Sequence, residues 1–178
     1  MTKTARTYAG ALFDLAAEES LEDALLADLS LVRNLFRENP DYLRLLTEPS
    51  VPMEERLTLL DEAFRAQLHP YSLNFLKILC ENGTIRLLPD CEEEFRRRFY
   101  EARGILPVRA VCAAPMPEPL QEKLRTVLEQ KTGKQILLRV EVDEALLGGI
   151  RLELEGRQLD GSVQHHLEAV ARALHTAS

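Results

Sequence analysis

The sequence predicts an α+β protein: an N-terminal antiparallel six-helix bundle followed by a small mixed α/β domain. Apolar residues recur at helical spacing up to Gly104 and alternate along short runs after it. Residues 1–104 carry 13 basic and 19 acidic side chains, a net charge of −6, whereas residues 105–178 carry 9 and 10, a net charge of −1. We therefore expect two domains, 1–104 and 105–178.

Six apolar segments predict the helices of the first domain, five of them long and one short. Helix interruptions are expected before Pro40, at Pro49 and before Pro70, because proline lacks an N–H and clashes with the preceding turn. Gly83 and Gly104 are expected to end the last two helices. In chain order the apolar positions are Ala5, Tyr8, Ala9, Leu12, Leu15 and Ala16; Leu21, Leu25, Leu29, Val32 and Phe36; the short segment 41–49; Leu57, Leu60 and Phe64; Leu73, Leu76, Ile78, Leu79 and Cys80; and Leu88, Cys91, Phe95 and Phe99.

The second domain is predicted to mix strands and helices. A β-rich run covers 105–113, and its Pro107 suggests an edge strand or a strand start. A helix follows within 115–134, and alternation predicts half-exposed strands over 138–142 and 150–154. A closing helix begins near Asp160 or Ser162. Its expected buried face is Val163, Leu167, Val170, Ala171 and Leu174.

The sequence offers no convincing nucleotide-binding motif. Lys134 follows a glycine, as in a P-loop, but Leu128 occupies the place of the first P-loop glycine. Gln135 stands where a P-loop needs a Ser or Thr to hold magnesium. We therefore expect no nucleotide at this site.

Catalytic and metal sites are not expected either. His165 and His166 are adjacent, so on a helix they point about 100° apart and cannot share a metal ion. Asp160, Ser162 and His165 supply the residue types of a hydrolase triad, but Ser162 lacks the G-x-S-x-G context and a helix cap explains the cluster better. We expect no catalytic residue, no metal and no cofactor.

The cysteines and the acidic composition exclude further classes. The three cysteines, Cys80, Cys91 and Cys112, lack metal-type spacing and are expected to pack as reduced, small apolar residues. The net charge of −7 argues against nonspecific nucleic-acid binding. Glutamates surround the basic run "EFRRRFYEAR", which predicts a helix face with i, i+4 ion pairs.

Location follows from hydropathy. No run of 18 apolar residues and no secretory leader is seen, so we expect a cytoplasmic protein or one peripheral to a membrane.

These residues together favour a noncatalytic two-domain protein that binds other proteins through a groove between helices.

Four segments in register resemble the family of ATP synthase delta subunits, whose mitochondrial member is the oligomycin-sensitivity-conferring protein. They are "TARTYAGALFDLAAE", "LTEPSVPMEERLTLLDEAF", "FLKILCENGTIRLLPDCEEEFRRRF" and "VEVDEALLGGIRLELEGRQLDGSVQHHLEAV". The last is the most specific. Its hallmark residues are Asp143, Leu147, Gly148, Gly149, Asp160 and Ser162. The family often has two basic residues or Asn-Arg after the helix that contains Cys80. This sequence departs from that pattern with "ENGTIR", in which Arg86 is the nearest equivalent.

The resemblance implies a stator protein that ties the catalytic head of the enzyme to its peripheral stalk, with one copy per complex. It implies that domain 1–104 binds the N-terminal helix of an alpha subunit. Our hypothesis places a groove between the first helix and the helix of residues 71–82. One wall would hold Tyr8, Ala11, Leu12 and Leu15, and the other Leu73, Leu76, Lys77 and Leu79. A core position is the competing interpretation for each apolar residue.

For domain 105–178 the resemblance implies binding to the b subunits of the stalk. We expect the glycines and the Asp-x-Ser cap to be structural, and the closing helix to offer its apolar strip, Leu167, Val170 and Leu174, to the stalk. The family's role in ATP synthesis and hydrogen ion transport implies a peripheral position on the cytoplasmic face of the cell membrane, with no direct membrane insertion and no nucleic acid bound.

Two alternatives from other classes stay open at this point. One is an all-helical RNA-binding or transcription regulatory protein, which the acidic bundle opposes. The other is a hydrolase that uses Ser162 and a histidine.

Overall fold

A computed structural model describes residues 2–143, 146 and 150–154. The chain divides into two compact units, Met1–Phe99 and Tyr100–Ser178. This division lies slightly before Gly104, where the sequence analysis places it. The assignment of 1–104 and 105–178 to different partners stays a prediction. Helices and a mixed sheet in the described residues confirm the α+β class.

Residues 3–102 form six α-helices and one 3₁₀ turn. They are α1 (Lys3–Glu19), α2 (Glu22–Glu38), α3 (Pro40–Thr47), α4 (Met53–Phe64), α5 (Pro70–Glu81), the 3₁₀ turn Ile85–Leu87, and α6 (Leu88–Ala102). Pro40 and Pro70 each stand in the first turn of a helix, where a missing N–H costs nothing. Their antiparallel order stays a prediction.

The predicted apolar stripes form the core of this unit. The small residues of α1, Ala5, Ala9 and Ala16, are fully buried, so neighbouring helices approach α1 closely. Leu25 and Leu29 of α2 are buried in the same cluster. Aromatic rings join three helices, since Phe36, Tyr42 and Phe64 lie within 6.0–6.3 Å of one another by ring centroids.

Helix ends follow the expected chemistry. Thr2 caps α1, because its Oγ1 accepts a hydrogen bond from the N–H of Ala5 at 3.1 Å. Gly83 has a φ of +65°, a left-handed conformation that favours glycine, and it stands just after α5. Arg86 donates to Oγ1 of Thr47 at 3.0 Å, which ties the 3₁₀ turn to the end of α3.

The second unit is built on a strand–helix–strand sequence. Its described elements are β1 (Ile105–Cys112), α7 (Glu118–Thr132), β2 (Gln135–Val142) and β3 (Ile150–Leu154). The strand order is β2-β1-β3. β1 pairs with β2 in parallel and with β3 antiparallel. A parallel pair needs a crossover, and α7 supplies it.

The edge-strand interpretation of Pro107 is wrong, whereas the strand-start interpretation fits. β1 lies between two strands, and Pro107 is its third residue. Pro107 stands in register with Leu137 of β2, while the pairing with β3 begins one residue later, at Val108. The proline therefore precedes the stretch of β1 that has a partner on both sides.

One face of the sheet packs against α7. Leu106, Val108, Ala110 and Cys112 alternate along β1 and are buried with Leu124 and Leu128 of α7. β2 begins three residues before the predicted strand and buries Ile136, whereas Val142 at its end is exposed. Alternation along the sequence identified the inward face but not the ends of the strand.

Candidate partner-binding surfaces

One flank of α1 is packed against α6. The rings of Phe13 and Phe95 meet edge to face, with centroids 5.3 Å apart. Gly10 is buried beneath the guanidinium of Arg98, since a Cβ built on Gly10 would lie 2.9 Å from Nη2 of Arg98. A side chain at position 10 would have to displace this guanidinium, and this flank of α1 is not free for a partner.

The other flank of α1 carries three of the four predicted wall residues. Residues of an α-helix are 100° apart, so Tyr8, Ala11 and Leu15 lie on the side of the core stripe opposite to Phe13. Tyr8 and Leu15 are half-buried and Ala11 is exposed. Leu12 is only 5% exposed and belongs to the core of the unit.

The predicted wall on α5 is mostly interior. Leu73, Leu76 and Leu79 are buried in the core of the helical unit. The Nζ of Lys77 lies 2.7 Å from the carboxylate of Asp61 on α4. The hydrogen bond from Lys77 holds the pKa of Asp61 below its usual range. Burial favours a core role for the three leucines, and Lys77 is engaged with α4.

Sequence reasoning missed another face of α5. Tyr71, Asn74 and Ile78 follow one another at i, i+3 and i+7, and they are half-buried, exposed and half-buried. A signal was present, because the apolar residues of α5 are too numerous for one stripe. Leu15 of α1 and Ile78 of α5 are not among the apolar side chains that pack against the core.

Two carboxylates on α6 are fully buried. Glu92 accepts hydrogen bonds from Oγ of Ser30 at 2.9 Å and Nη1 of Arg33 at 2.8 Å, and it pairs with Arg96. This cluster ties α6 to α2. The i, i+4 pairing predicted for the basic run is present, and the glutamates that take part in it are buried.

Glu94 occupies the flank of α6 nearer to α1. It accepts from Arg97 at 2.8 Å and from Arg98 at 2.9 Å. The hydrogen bond from Arg97 is the main reason why the pKa of Glu94 lies below its usual range. Arg98 reaches toward Asp14 of α1, at 3.9 Å. These arginines are therefore engaged with carboxylates rather than forming a cationic patch.

The sheet face opposite α7 carries a charged row across the strands. Arg109 of β1 donates to Glu141 of β2 at 3.1 Å and also pairs with Glu153 of β3. Arg151 donates to Glu153 at 2.8 Å. The hydrogen bond from Arg109 is the main cause of the lowered pKa of Glu153. Each member of the row is partly exposed.

Most of the family-motif residues lie outside the described residues. Asp143 is described: its N–H donates to the carbonyl of Cys112 at 2.9 Å, and its carbonyl accepts from the N–H of Leu146. The predicted residues that lie outside the described part of the chain are Leu147, Gly148, Gly149, Asp160, Ser162, Leu167, Val170 and Leu174.

The cysteines are unreactive thiols. Cys80, Cys91 and Cys112 are free and buried, as the sequence analysis predicts. Burial raises the pKa of Cys91 to about 12, so its thiol stays protonated at neutral pH. In the part of the chain that the structure describes, no three His, Cys, Asp or Glu side chains are grouped to hold a metal ion. No helix among these residues is long and apolar enough to cross a membrane.

Comparisons with known proteins cover nearly the whole chain. A family model described as ATP synthase delta (OSCP) subunit matches residues 4–174. The ATP synthase subunit delta of Geobacillus sp. (strain WCH70) is 36% identical over 171 residues, which cover 96% of each sequence. The ATP synthase subunit delta of Moorella thermoacetica is 34% identical over 173 residues, which cover 97% of each sequence.

A solved structure shares the fold. A chain of the cryo-EM structure of the Toxoplasma gondii mitochondrial ATP synthase hexamer superposes with a TM-score of 0.63 at 21% identity. The match covers 97% of this chain and 98% of that chain.

Proposed function

This chain belongs to the ATP synthase delta (OSCP) subunit family, and from this premise we propose which of its surfaces hold its partners. It is a noncatalytic stator subunit of an F-type ATP synthase that links the catalytic head to the peripheral stalk, so that rotation is coupled to ATP synthesis. Such a subunit must bind tightly at several points. We propose that it lies on the cytoplasmic face of the cell membrane, in one copy per complex.

The six helices of the first unit form, in this proposal, the antiparallel bundle that accepts the N-terminal helix of an alpha subunit. The observation that supports it best is that α1 and α5 each carry a half-buried apolar side chain that is not among those packed against the core, Leu15 on α1 and Ile78 on α5. Tyr8 and Tyr71 flank them on the same helices and are half-buried. An amphipathic helix that covers these side chains would bury apolar surface at i, i+3, i+4 and i+7 anchors.

The remaining predicted wall residues support the groove from below. Leu12, Leu73, Leu76 and Leu79 hold α1 and α5 in the core. The pair Lys77–Asp61 fixes α5 against α4. Substitution of any of these leucines would disturb folding before it reported on binding, so tests belong on the half-buried residues.

The test is a calorimetric titration of the full chain with a synthetic peptide of the alpha-subunit N-terminus from the same organism. Leu15→Asp and Ile78→Asp should each weaken binding at least about tenfold, because a charge replaces an anchor whose burial is worth about 2 kcal/mol. Leu31→Asp is the matched control, since Leu31 is exposed on α2.

Far-UV circular dichroism establishes whether each variant is folded. If an aspartate variant does not fold, Leu15→Ala or Ile78→Ala takes its place in the titration. Binding by the native chain should show a negative heat-capacity change, the sign of apolar burial. Unchanged affinity in folded variants of both helices would move the alpha-subunit site elsewhere.

The second unit is proposed to hold the b subunits of the stalk. Support comes from the family match, which extends to residue 174 and so includes the closing segment with its apolar strip. A chain truncated after Gly161 should lose binding to the b subunits while it retains binding to the alpha peptide. Retained stalk binding would redirect the site to the sheet faces.

The RNA-binding alternative is not supported. The arginines of the basic run, Arg96, Arg97 and Arg98, are paired with Glu92 and Glu94. Their charge is neutralised within α6 and is not presented to phosphates.

A further inference from the structure

α5 begins with an unusual N-cap. His69 has extended backbone angles, and its Nδ1 accepts a hydrogen bond from the N–H of Tyr71 at 3.2 Å. Ser, Thr, Asp and Asn usually hold this position. The imidazole also packs against the ring of Tyr71, with centroids 5.1 Å apart.

An acidic residue of α2 also contacts the N-terminus of α5. The backbone N–H of His69 donates to Oδ2 of Asp28 at 2.8 Å. Among the described residues, Asp28 and the phenol of Tyr71 are the titratable groups in contact with His69. The start of α5 is therefore held by two hydrogen bonds, one accepted by Nδ1 of His69 and the other by the carboxylate of Asp28.

The cap requires the neutral imidazole. When Nδ1 takes a proton it becomes a donor, so it can no longer accept from the N–H of Tyr71. A cation at the N-terminus of a helix is also opposed by the helix dipole.

We propose that His69 is a pH-sensitive latch: protonation breaks its cap on α5 and leaves the backbone N–H of Tyr71 without its acceptor. This inference stands on the geometry of the helix start. Its consequence for the alpha-subunit helix rests on the proposed function, in which Tyr71 lies beside the groove. Acidification then weakens the hold of the stator on the catalytic head.

The test is an NMR pH titration of the full chain from about pH 8 to about pH 5.5, the range in which histidine changes charge. The amide of Tyr71 should move with the same midpoint as the ring protons of His69. His69→Asn is the matched control, because asparagine caps a helix without titrating in this range.

The calorimetric titration with the alpha peptide is then repeated at both pH values. Native affinity should fall about fivefold on acidification, the factor that loss of a typical cap represents, whereas His69→Asn should show no fall. A Tyr71 amide that does not move, or that moves equally in His69→Asn, overturns the latch. A Tyr71 amide that titrates in a chain that binds no peptide at either pH supports the latch and overturns the proposed partner.

Discussion

The charged side chains of α6 and those of the three-stranded sheet form similar ion pairs in very different surroundings. Glu92 and Glu94 have no exposed side-chain surface. Glu141 and Glu153 on the sheet are 49% and 34% exposed. Both sets pair with arginines at hydrogen-bonding distance.

The difference shows that burial, rather than the number of ion pairs, decides what a charged residue is worth. A buried carboxylate has given up its water and depends on every protein donor around it. An exposed pair can exchange its protein partner for water at little cost, and salt screens it. We therefore expect the α6 clusters to govern stability and the sheet row to contribute little.

The largest effect is expected from Glu92→Gln. The variant keeps the shape of the side chain but removes the negative charge that pairs with Arg33 and Arg96. It also places an amide NH₂ group beside other hydrogen-bond donors. The free energy of unfolding should fall by about 3 kcal/mol, the lower end for a broken buried pair, because both arginines reach solvent. Urea unfolding of the full chain, followed by circular dichroism, measures it.

Glu141→Gln makes the same chemical change on the sheet and is the matched control. Its unfolding midpoint should equal that of the native chain within error. Similar losses in the two variants would mean that burial does not separate the two regions.

The second effect is a pH dependence carried by Glu94. Its pKa is lowered in the folded chain, so its contribution is present above the pKa of an unfolded glutamate, about 4.3, and is lost as the pH falls through the lower folded value. Glu94→Gln should therefore flatten the acid limb of a stability–pH curve. A curve that keeps the native slope below about pH 4 would show that other carboxylates carry it.

Ser72→Ala tests whether a buried hydroxyl without a hydrogen-bond partner lowers the stability of the helical unit. Ser72 is 1% exposed, and its hydroxyl has no hydrogen-bond partner in the described part of the chain. Alanine removes this unpaired group and suits a helix better, so stability should rise by about 1 kcal/mol. A loss of stability in thermal unfolding would indicate that the hydroxyl does have a partner.

Gly10→Ala should have the smallest effect. Alanine favours the helix by about 1 kcal/mol, but its Cβ must displace the guanidinium of Arg98, so the two changes nearly cancel. In an Arg98→Ala background the same substitution should stabilise the chain by most of that amount. A double-mutant cycle measures the difference, and additive effects would show that the contact is unimportant.

Much of the fold could be predicted because the signals are local. The stripes of α1, α2 and α6 and the stop at Gly83 were identified from residues within one or two turns of each other. The same local signals left two interpretations open for Pro107, because its sequence neighbours do not show whether a strand has partners on both sides.

The candidate site was predicted less completely. The helices and the family could be identified, but Leu12, Leu73, Leu76 and Leu79 lie in the core, whereas Tyr71 and Ile78 are half-buried. An apolar residue on an amphipathic helix looks the same in sequence whether it packs inward or awaits a partner. Only the packing of neighbouring helices separates these cases.

The sequence by itself determined the α+β class, the helix periods, the reduced cysteines and the family. Each of these depends on residue type and spacing along the chain. The tertiary structure alone decided that Glu92 and Glu94 are buried and that Asp28 accepts a hydrogen bond from the backbone N–H of His69. The reason is distance along the chain: the donors to Glu92 from α2 are 59 and 62 positions away, and Asp28 is 41 positions from His69. No local pattern specifies which such residues meet, because that depends on how complete helices pack.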